Sequence, residues 1–333
     1  MPNSHTTSST PSHHSAALVI VGTGMAGVGL ARALRRQGDT RTITLVSADS
    51  GDDYSKPLLS TGFAKRLSPD KLAQRDATAL ADELDAQVIT HTQVTHLDVD
   101  NQTLQLSSGD TLRYDNVVLA TGAAPRRPFS VPSTLAERCF TVNDLDDYRR
   151  LHAALVQPSR VAIIGAGLVG CEFANDLHAG GHLVTVIAPE SAPLPRLLPE
   201  PLGHALADAF HTAGIRLALG RSLDTLSQDA DNALALQLDN GERHTVDLVL
   251  FATGLVPRTA LAEAAGLNVS ATGIHVDRQL RTHSPNVYAL GDAACIDGVN
   301  AMYVQPLQAS IKALAATLTG TPTSVSFGAW PVV

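Results

Sequence analysis

Leu18-Val19-Ile20-Val21-Gly22-Thr23-Gly24-Met25-Ala26-Gly27 returns later in the chain as Val161-Ala162-Ile163-Ile164-Gly165-Ala166-Gly167-Leu168-Val169-Gly170. A short run of branched apolar residues is what a strand buried on both faces of a parallel sheet requires. The glycines that follow keep the Gly-x-Gly-x-x-Gly spacing, and a helical stretch comes next. Glycine there permits a tight turn, close approach of backbone to a pyrophosphate, and close packing of helix on strand. The helix start then points free N–H groups and a positive dipole end at the phosphates. Both copies also close alike. Ala120-Thr121-Gly122 followed by Pro125-Arg126 ends the first, and Ala252-Thr253-Gly254 followed by Pro257-Arg258 ends the second. One glycine fingerprint is weak; two in matching surroundings imply two dinucleotide sites in one polypeptide. The simplest use of two such sites is to move electrons from one nucleotide to the other.

In the first copy a helix through Leu30, Ala31, Ala33 and Leu34 ends near Gly38, and the strand Thr42–Val46 follows. An acid at the end of that strand would hold a ribose hydroxyl. Ser47 and Ala48 come first, so Asp49 is the candidate, its alternative role being a turn aspartate before Gly51. In the second copy the helix runs to about His178, and Leu183–Ile187 is the next strand. Ala188 and Pro189 precede the acid, Glu190; the nearest downstream arginine, Arg196, lies several residues on. A 2′-phosphate would need a nearby Arg, so the pattern favours NAD over NADP.

Val88–Val99, with a turn at Asp100-Asn101, and Leu104–Leu106 read as a hairpin layer. Leu234–Leu238, before Asp239-Asn240-Gly241, is its counterpart. Each layer leads to a buried strand, Val117–Leu119 or Leu248–Phe251. Asn286–Leu290 is a further strand, ending in Gly291-Asp292, which can aim a carboxylate at a sugar or ribitol hydroxyl. A last helix starts near Pro306, a residue favoured in a first helical turn, with one apolar face of Leu307, Ile311, Leu314, Ala315 and Leu318. The expected fold class is α/β, with two Rossmann-like dinucleotide-binding domains, the second inserted in a split first. The boundaries read as a disordered tail over 1–15, the first domain over 16–125 and 245–322, the second over 126–244, and the start of a further domain at 323–333.

Composition narrows the function. A net charge of −8 argues against nucleic acid, which needs a positive surface. Ala16–Leu34 is apolar but carries the fingerprint, and no other stretch approaches the ~20 apolar residues of a membrane span. Cys139, Cys171 and Cys295 lie far apart with no Cys-x-x-Cys, which suggests neither a redox dithiol nor a zinc cluster and fits a reducing cytoplasm. His178 and His182 are four apart, but Gly180-Gly181 between them disfavours a helical metal pair, and no metal site is expected.

These features resemble the two-dinucleotide-domain flavoprotein reductases. Tyr54-Ser55-Lys56-Pro57-Leu58-Leu59-Ser60-Thr61-Gly62-Phe63-Ala64-Lys65 and Gly165–Leu177 narrow the likeness to bacterial rubredoxin–NAD(+) reductases and, less closely, flavorubredoxin reductases. The resemblance implies FAD in the first domain and NAD in the second. It implies that Gly22, Thr23, Gly24, Met25, Ala26 and Gly27 meet the FAD pyrophosphate, Ala48 and Asp49 its ribose, Val94 its adenine, and Gly291 and Asp292 the ribitol. Val304, just before the last helix, would lie near the isoalloxazine, where the helix start favours negative charge on the reduced flavin. Ala120, Thr121 and Gly122 would border FAD. Gly165, Gly167, Leu168, Val169, Gly170, Glu190, Ala252, Thr253 and Gly254 would border NAD. Lys56 and Glu172 would form an ion pair by the flavin where nicotinamide docks; alone, Lys56 reads as a solvated loop lysine and Glu172 as a helix-start acid.

Disulfide reductases of this fold place a cysteine pair on the helix after the Lys56 region, and related oxidases a single cysteine; this stretch has neither. Cys171 reads as a packing residue. The expected activity is therefore hydride transfer from NADH to FAD and single-electron delivery to an external acceptor, rubredoxin. Alternatives are flavorubredoxin or another iron–sulfur acceptor, or a flavin- and NAD-binding protein with little turnover. Arg126 and Arg127 are the expected docking cations. Family members continue into a C-terminal cap domain where this sequence ends at Trp330-Pro331-Val332-Val333; either the cap is largely missing by truncation, or the chain works with an exposed flavin edge.

Overall fold

The branched apolar runs form the centres of two parallel sheets. The computed structural model describes residues 13–127 and 129–328. The chain forms two compact units: one takes the chain up to Asp53, Arg75–Ala123 and the part from Pro257 onward, the other Tyr54–Gln74 and Ala124–Val256.

In the first unit His13–Val21 pairs in parallel with Ile43–Val46 on one side and with Thr111–Leu119 on the other. Gln87–Ile89 extends the sheet beyond Ile43–Val46. Thr111–Leu119 serves two layers. Its end, Val117–Leu119, pairs in parallel with Val287–Ala289, while its start pairs antiparallel with Thr103–Leu106, which pairs in turn with Val94–Asp98. Leu18, Val19, Ile20, Leu45, Val117, Val118 and Leu119 are fully buried, as two-sided coverage demands. Helix Met25–Arg36 lies against helix Val304–Leu318 at Gly29, where a Cβ would stand 2.6 Å from Ile311 Cδ1.

The second unit repeats the plan. Its sheet runs Cys139–Phe140, Leu248–Phe251, Arg160–Ile164, Leu183–Ala188, Arg216–Leu219, all parallel. In both units the strand before the fingerprint is central, flanked by the next strand in sequence and by the one that ends in Ala-Thr-Gly. A three-stranded meander, Leu223–Gln228, Leu234–Leu238 and Arg243–Val246, matches the hairpin layer of the first unit.

The structure refines the sequence expectations in several places. Val88–Val99 is not one strand. His91 takes φ 48°, which breaks the chain between Gln87–Ile89 in the parallel sheet and Val94–Asp98 in the hairpin. Tyr54–Gln74 leaves the expected 16–125 segment, because Leu59, Phe63 and Leu72 share a core with Tyr148, Leu151, Phe173 and Leu177. The second unit reaches Val256 rather than 244, because Leu248–Phe251 is the neighbour of Arg160–Ile164 in its sheet. The expected tail over 1–15 is shorter, since His13–Ser15 already pair with Thr111–Arg113; residues 1–12 lie outside the described residues. At the other end, residues 323–328 pack on the first unit: Val325 is buried and its N–H donates to the Arg278 carbonyl at 2.7 Å, and 329–333 lie outside the described residues. Among the described residues no helix is long and apolar enough to cross a membrane.

Candidate functional site

Each fingerprint contains two kinds of glycine. Gly22 has φ 120°, and a Cβ there would stand 2.3 Å from the Ala120 carbonyl oxygen; at Gly27 a Cβ would meet the Gly22 carbonyl oxygen at 2.0 Å. Gly165 (φ 114°, 2.4 Å from the Ala252 carbonyl oxygen) and Gly170 (2.1 Å from the Gly165 carbonyl oxygen) repeat this in the second unit. These glycines answer to the protein's own packing. Gly24 and Gly167 do not: their φ values are −68° and −74°, and a Cβ at either would meet nothing within 4 Å. Nothing in the fold asks for glycine there, so the open space is a cradle that a side chain would fill and a pyrophosphate needs.

The helix starts agree. Helices Ala77–Leu84 and Leu145–Ala154 are capped by Asp76 and Asp144, whose side chains accept backbone N–H groups. Met25–Arg36 and Leu168–Ala179 have no side-chain cap and no acid in the first turn. A helix start left without a carboxylate is ready for an anion.

Around the first cradle, Thr23 is buried and its Oγ1 donates to Ser47 Oγ at 2.7 Å; Ser47 Oγ in turn donates to Asp49 Oδ1. The same Asp49 oxygen accepts the Gly51 N–H at 2.9 Å. Asp49 is thus a turn aspartate as well as the acid at the strand end, and Ala48 beside it is exposed. Gly291 (φ 74°) brings the Gly291-Asp292 turn against the helix start, since a Cβ there would lie 2.9 Å from Ala26 Cβ. Asn300 Nδ2 donates to the carbonyls of Asp292 at 2.9 Å and Ala294 at 3.1 Å, fixing that turn. Val94 is buried at the start of its strand, beside a register shift. Val304 is the first residue of the last helix rather than the one before it; this helix too lacks a side-chain cap, and Val304 and Tyr303 expose apolar surface at its start. Thr121 Oγ1 donates to the Arg258 carbonyl at 2.9 Å, and the Arg258 N–H donates to the Gly122 carbonyl at 3.0 Å.

Around the second cradle the same pair of bonds recurs: Thr253 Oγ1 donates to the Arg126 carbonyl at 2.6 Å and the Arg126 N–H to the Gly254 carbonyl at 2.8 Å. Leu168 is half-buried and Val169 exposed at the helix start, and Glu190 is exposed at the end of its strand. The Gly220 and Arg221 N–H groups donate to the Glu190 and Ala188 carbonyls at 2.8 and 2.9 Å, so the backbone of Arg221, which the sequence did not single out, meets this strand end.

The loop from Tyr54 carries the remaining candidates. Lys56 begins a 3-10 turn, Lys56–Ser60, and its Nζ donates to Asn143 Oδ1 at 2.8 Å. At the other end of that turn Ser60 Oγ donates to Glu172 Oε2 at 2.7 Å. The structure thus brings Lys56 and Glu172 to one turn of chain through Ser60. Asn143 and Ser60 were missed in the sequence. Ser60 lay inside a quoted segment, but Asn143 stands alone in a loop with no pattern to mark it.

The cysteines are not poised as nucleophiles. Cys171 is buried, its Sγ donates to the Ala166 carbonyl at 3.4 Å, and burial pushes its thiol up to about 11. Burial likewise pushes Cys139 up to about 11. Thiols that stay protonated are poor nucleophiles. Replacing Cys171 by Ala is expected to change the rate of NADH oxidation less than about twofold, as a small buried swap that keeps the Glu172 carboxylate does; a tenfold loss would place the thiol in the electron path.

Comparison with known proteins follows the same lines. The model of the family described as pyridine nucleotide-disulphide oxidoreductase matches residues 16–315. The chain is 39% identical over 315 residues to a rubredoxin-NAD(+) reductase of Alcanivorax borkumensis, covering 95% of this chain and 82% of that one. It is 37% identical over 301 residues to a nitric oxide reductase FlRd-NAD(+) reductase of Klebsiella pneumoniae, covering 90% and 78%. Among solved structures, a ferredoxin reductase from Rhodopseudomonas palustris superposes with TM-score 0.86 at 28% identity over 93% of this chain and 78% of its own. A putidaredoxin reductase in covalent complex with putidaredoxin gives TM-score 0.86 at 29% identity, covering 95% and 78%.

Proposed function

The chain belongs to the pyridine nucleotide-disulphide oxidoreductase family, and from that premise we propose that it is an NADH-dependent FAD reductase that delivers single electrons to rubredoxin. FAD, when bound, supplies the ring system that takes up hydride and gives back electrons one at a time. The first unit holds FAD and the second binds NADH. Gly24 leaves room for the FAD pyrophosphate over the uncapped start of Met25–Arg36, with Thr23, Met25 and Ala26 around it. Asp49 and Ala48 meet the ribose, Val94 the adenine, Asp292 the ribitol, and the start of Val304–Leu318 faces the ring. Gly167 does the same for NADH over Leu168–Ala179, with Glu190 at its ribose. Lys56 and Glu172 orient the nicotinamide for transfer; hydride transfer itself needs no general base.

The observation that carries this reading is the pair of open glycine cradles at uncapped helix starts, in a chain whose first cysteine is Cys139. The Tyr54–Lys65 segment carries no cysteine and burial keeps the Cys171 thiol protonated, so the electrons leave for an external acceptor. A flavorubredoxin-type acceptor is the second reading, favoured by 37% identity to the FlRd reductase; rates with both acceptors at equal concentration decide between them. Three free cysteines support a reducing compartment, and the cytoplasm is the proposed location.

Arg126 and Arg127 are exposed and are the proposed docking cations for an acidic iron protein. Reversing both to Glu should slow acceptor reduction by about tenfold at low salt and less at high salt, with flavin reduction by NADH unchanged. Equal rates at both salt levels would remove them from the docking face.

A further inference from the structure

Asp176 is not among the residues proposed to hold either nucleotide, yet it is a carboxylate with 2% exposure. It sits on helix Leu168–Ala179, one turn beyond Glu172. Its Oδ2 accepts the Phe63 N–H at 3.1 Å and its Oδ1 the Ala64 N–H at 2.8 Å. A buried carboxylate is costly unless its oxygens are satisfied, and these two bonds are charge-assisted ones to consecutive peptides of one turn. Burial raises the Asp176 carboxyl above the usual range, while the Ala64 and Phe63 N–H groups and Lys65 pull it down.

The turn is held from other sides too. A Cβ at Gly62 would stand 2.2 Å from Tyr148 Oη, and one at Gly180 3.0 Å from Phe63 Cβ. The Phe63 ring lies 5.4 Å from Tyr148, stacks on His152 at 5.5 Å and meets His182 edge-on at 5.8 Å. The Lys56–Ser60 turn is immediately upstream, and its Ser60 is bonded to Glu172. One helix therefore grips one loop at two points a turn apart: Glu172 takes Ser60, and Asp176 takes Phe63 and Ala64.

We infer that Asp176 is a positioning residue for the reduction step: by fixing the Gly62–Ala64 turn it sets where Lys56 and Glu172 stand. The inference rests on the reading of Lys56 and Glu172 as the groups that orient nicotinamide.

The test uses the FAD-loaded full chain and follows anaerobic flavin reduction by NADH in a stopped-flow instrument. It compares the parent with Asp176→Asn, Glu172→Gln and the double variant, well below the unfolding midpoint of each. Asp176→Asn keeps the shape but offers an N–H where one of the two donors needs an acceptor. Each single change should slow the limiting rate by about tenfold or more, as small displacements of orienting groups do, with a smaller change in the NADH dissociation constant. The double variant should be no slower than the slower single, since both act through the same loop. Hydrogen exchange at the Phe63 and Ala64 amides should quicken in Asp176→Asn and not in Glu172→Gln.

A parent-like limiting rate in Asp176→Asn, with those amides exchanging faster, overturns the inference, because the turn is then released without consequence. Fully additive losses overturn it too. If Glu172→Gln alone leaves the rate unchanged, the reading of the Lys56–Glu172 pair fails, and the inference fails with it. Should Asp176→Asn not fold, Asp176→Glu keeps an acceptor but moves it by one methylene from the Phe63 and Ala64 amides. It too should slow the limiting rate, non-additively with Glu172→Gln, and a parent-like rate or full additivity there is equally fatal.

Discussion

Gly167→Val yields a folded protein that retains FAD and is scarcely reduced by NADH. The position has an ordinary φ of −74° and free space around its Cβ direction, so the fold tolerates the side chain and stability should change by less than about 0.5 kcal/mol. The side chain instead occupies the space over the uncapped start of Leu168–Ala179. Losing two N–H contacts to a charged phosphate costs roughly 3 kcal/mol, which corresponds to a roughly hundredfold higher NADH requirement. Titration of flavin bleaching against NADH under anaerobic conditions measures it. Gly24→Val is the mirror experiment: the protein should purify folded and colourless. A Gly167→Val protein that binds NADH as tightly as the parent would show that the second cradle is not a nucleotide site.

Gly22→Ala should fail for the opposite reason. At φ 120° an L side chain is strained, and its Cβ would lie 2.3 Å from the Ala120 carbonyl oxygen, which belongs to the neighbouring strand's end and cannot step aside without breaking the sheet. The expected loss is about 3–5 kcal/mol, a large part of a domain's stability. It should appear as insoluble protein or a much lower midpoint in thermal unfolding, before any question of binding arises. Gly22→Ala and Gly24→Val, two residues apart, thus separate the two duties of one motif. If Gly22→Ala unfolded at the parent's midpoint, the close contact with Ala120 would not describe the folded chain.

Most of the fold was legible because its signals are local. Leu18–Val21 and Val161–Ile164 announce buried strands by composition, the glycines announce turns by spacing, and Leu307, Ile311 and Leu314 announce a helix face by period. What stayed hidden depends on contacts distant in sequence. Tyr54–Gln74 follows the first Rossmann strands in the chain, and nothing local says that Phe63 packs on Tyr148 and His152. The break at His91 was masked because Val88–Val99, rich in Val, Ile and Thr, reads as one hairpin arm, while a positive φ on a histidine leaves no mark in the sequence. The site divided in the same way. The cradles could be read from spacing, and Glu172 from its segment, but Ser60, Asn143 and Asp176 owe their roles to partners far along the chain. Asp176 in particular reads as an ordinary polar residue of a helix until its burial is seen.

The central claim is that electrons enter from NADH and leave directly to a small iron protein, with no thiol between. Anaerobic mixing of the FAD-loaded protein with NADH and oxidised rubredoxin, watching the iron–thiolate absorption and the flavin together, tests it most directly. Rapid bleaching of rubredoxin is expected, faster with NADH than with NADPH and unaffected by prior thiol alkylation. A flavin that NADH reduces fully while rubredoxin stays oxidised would contradict it.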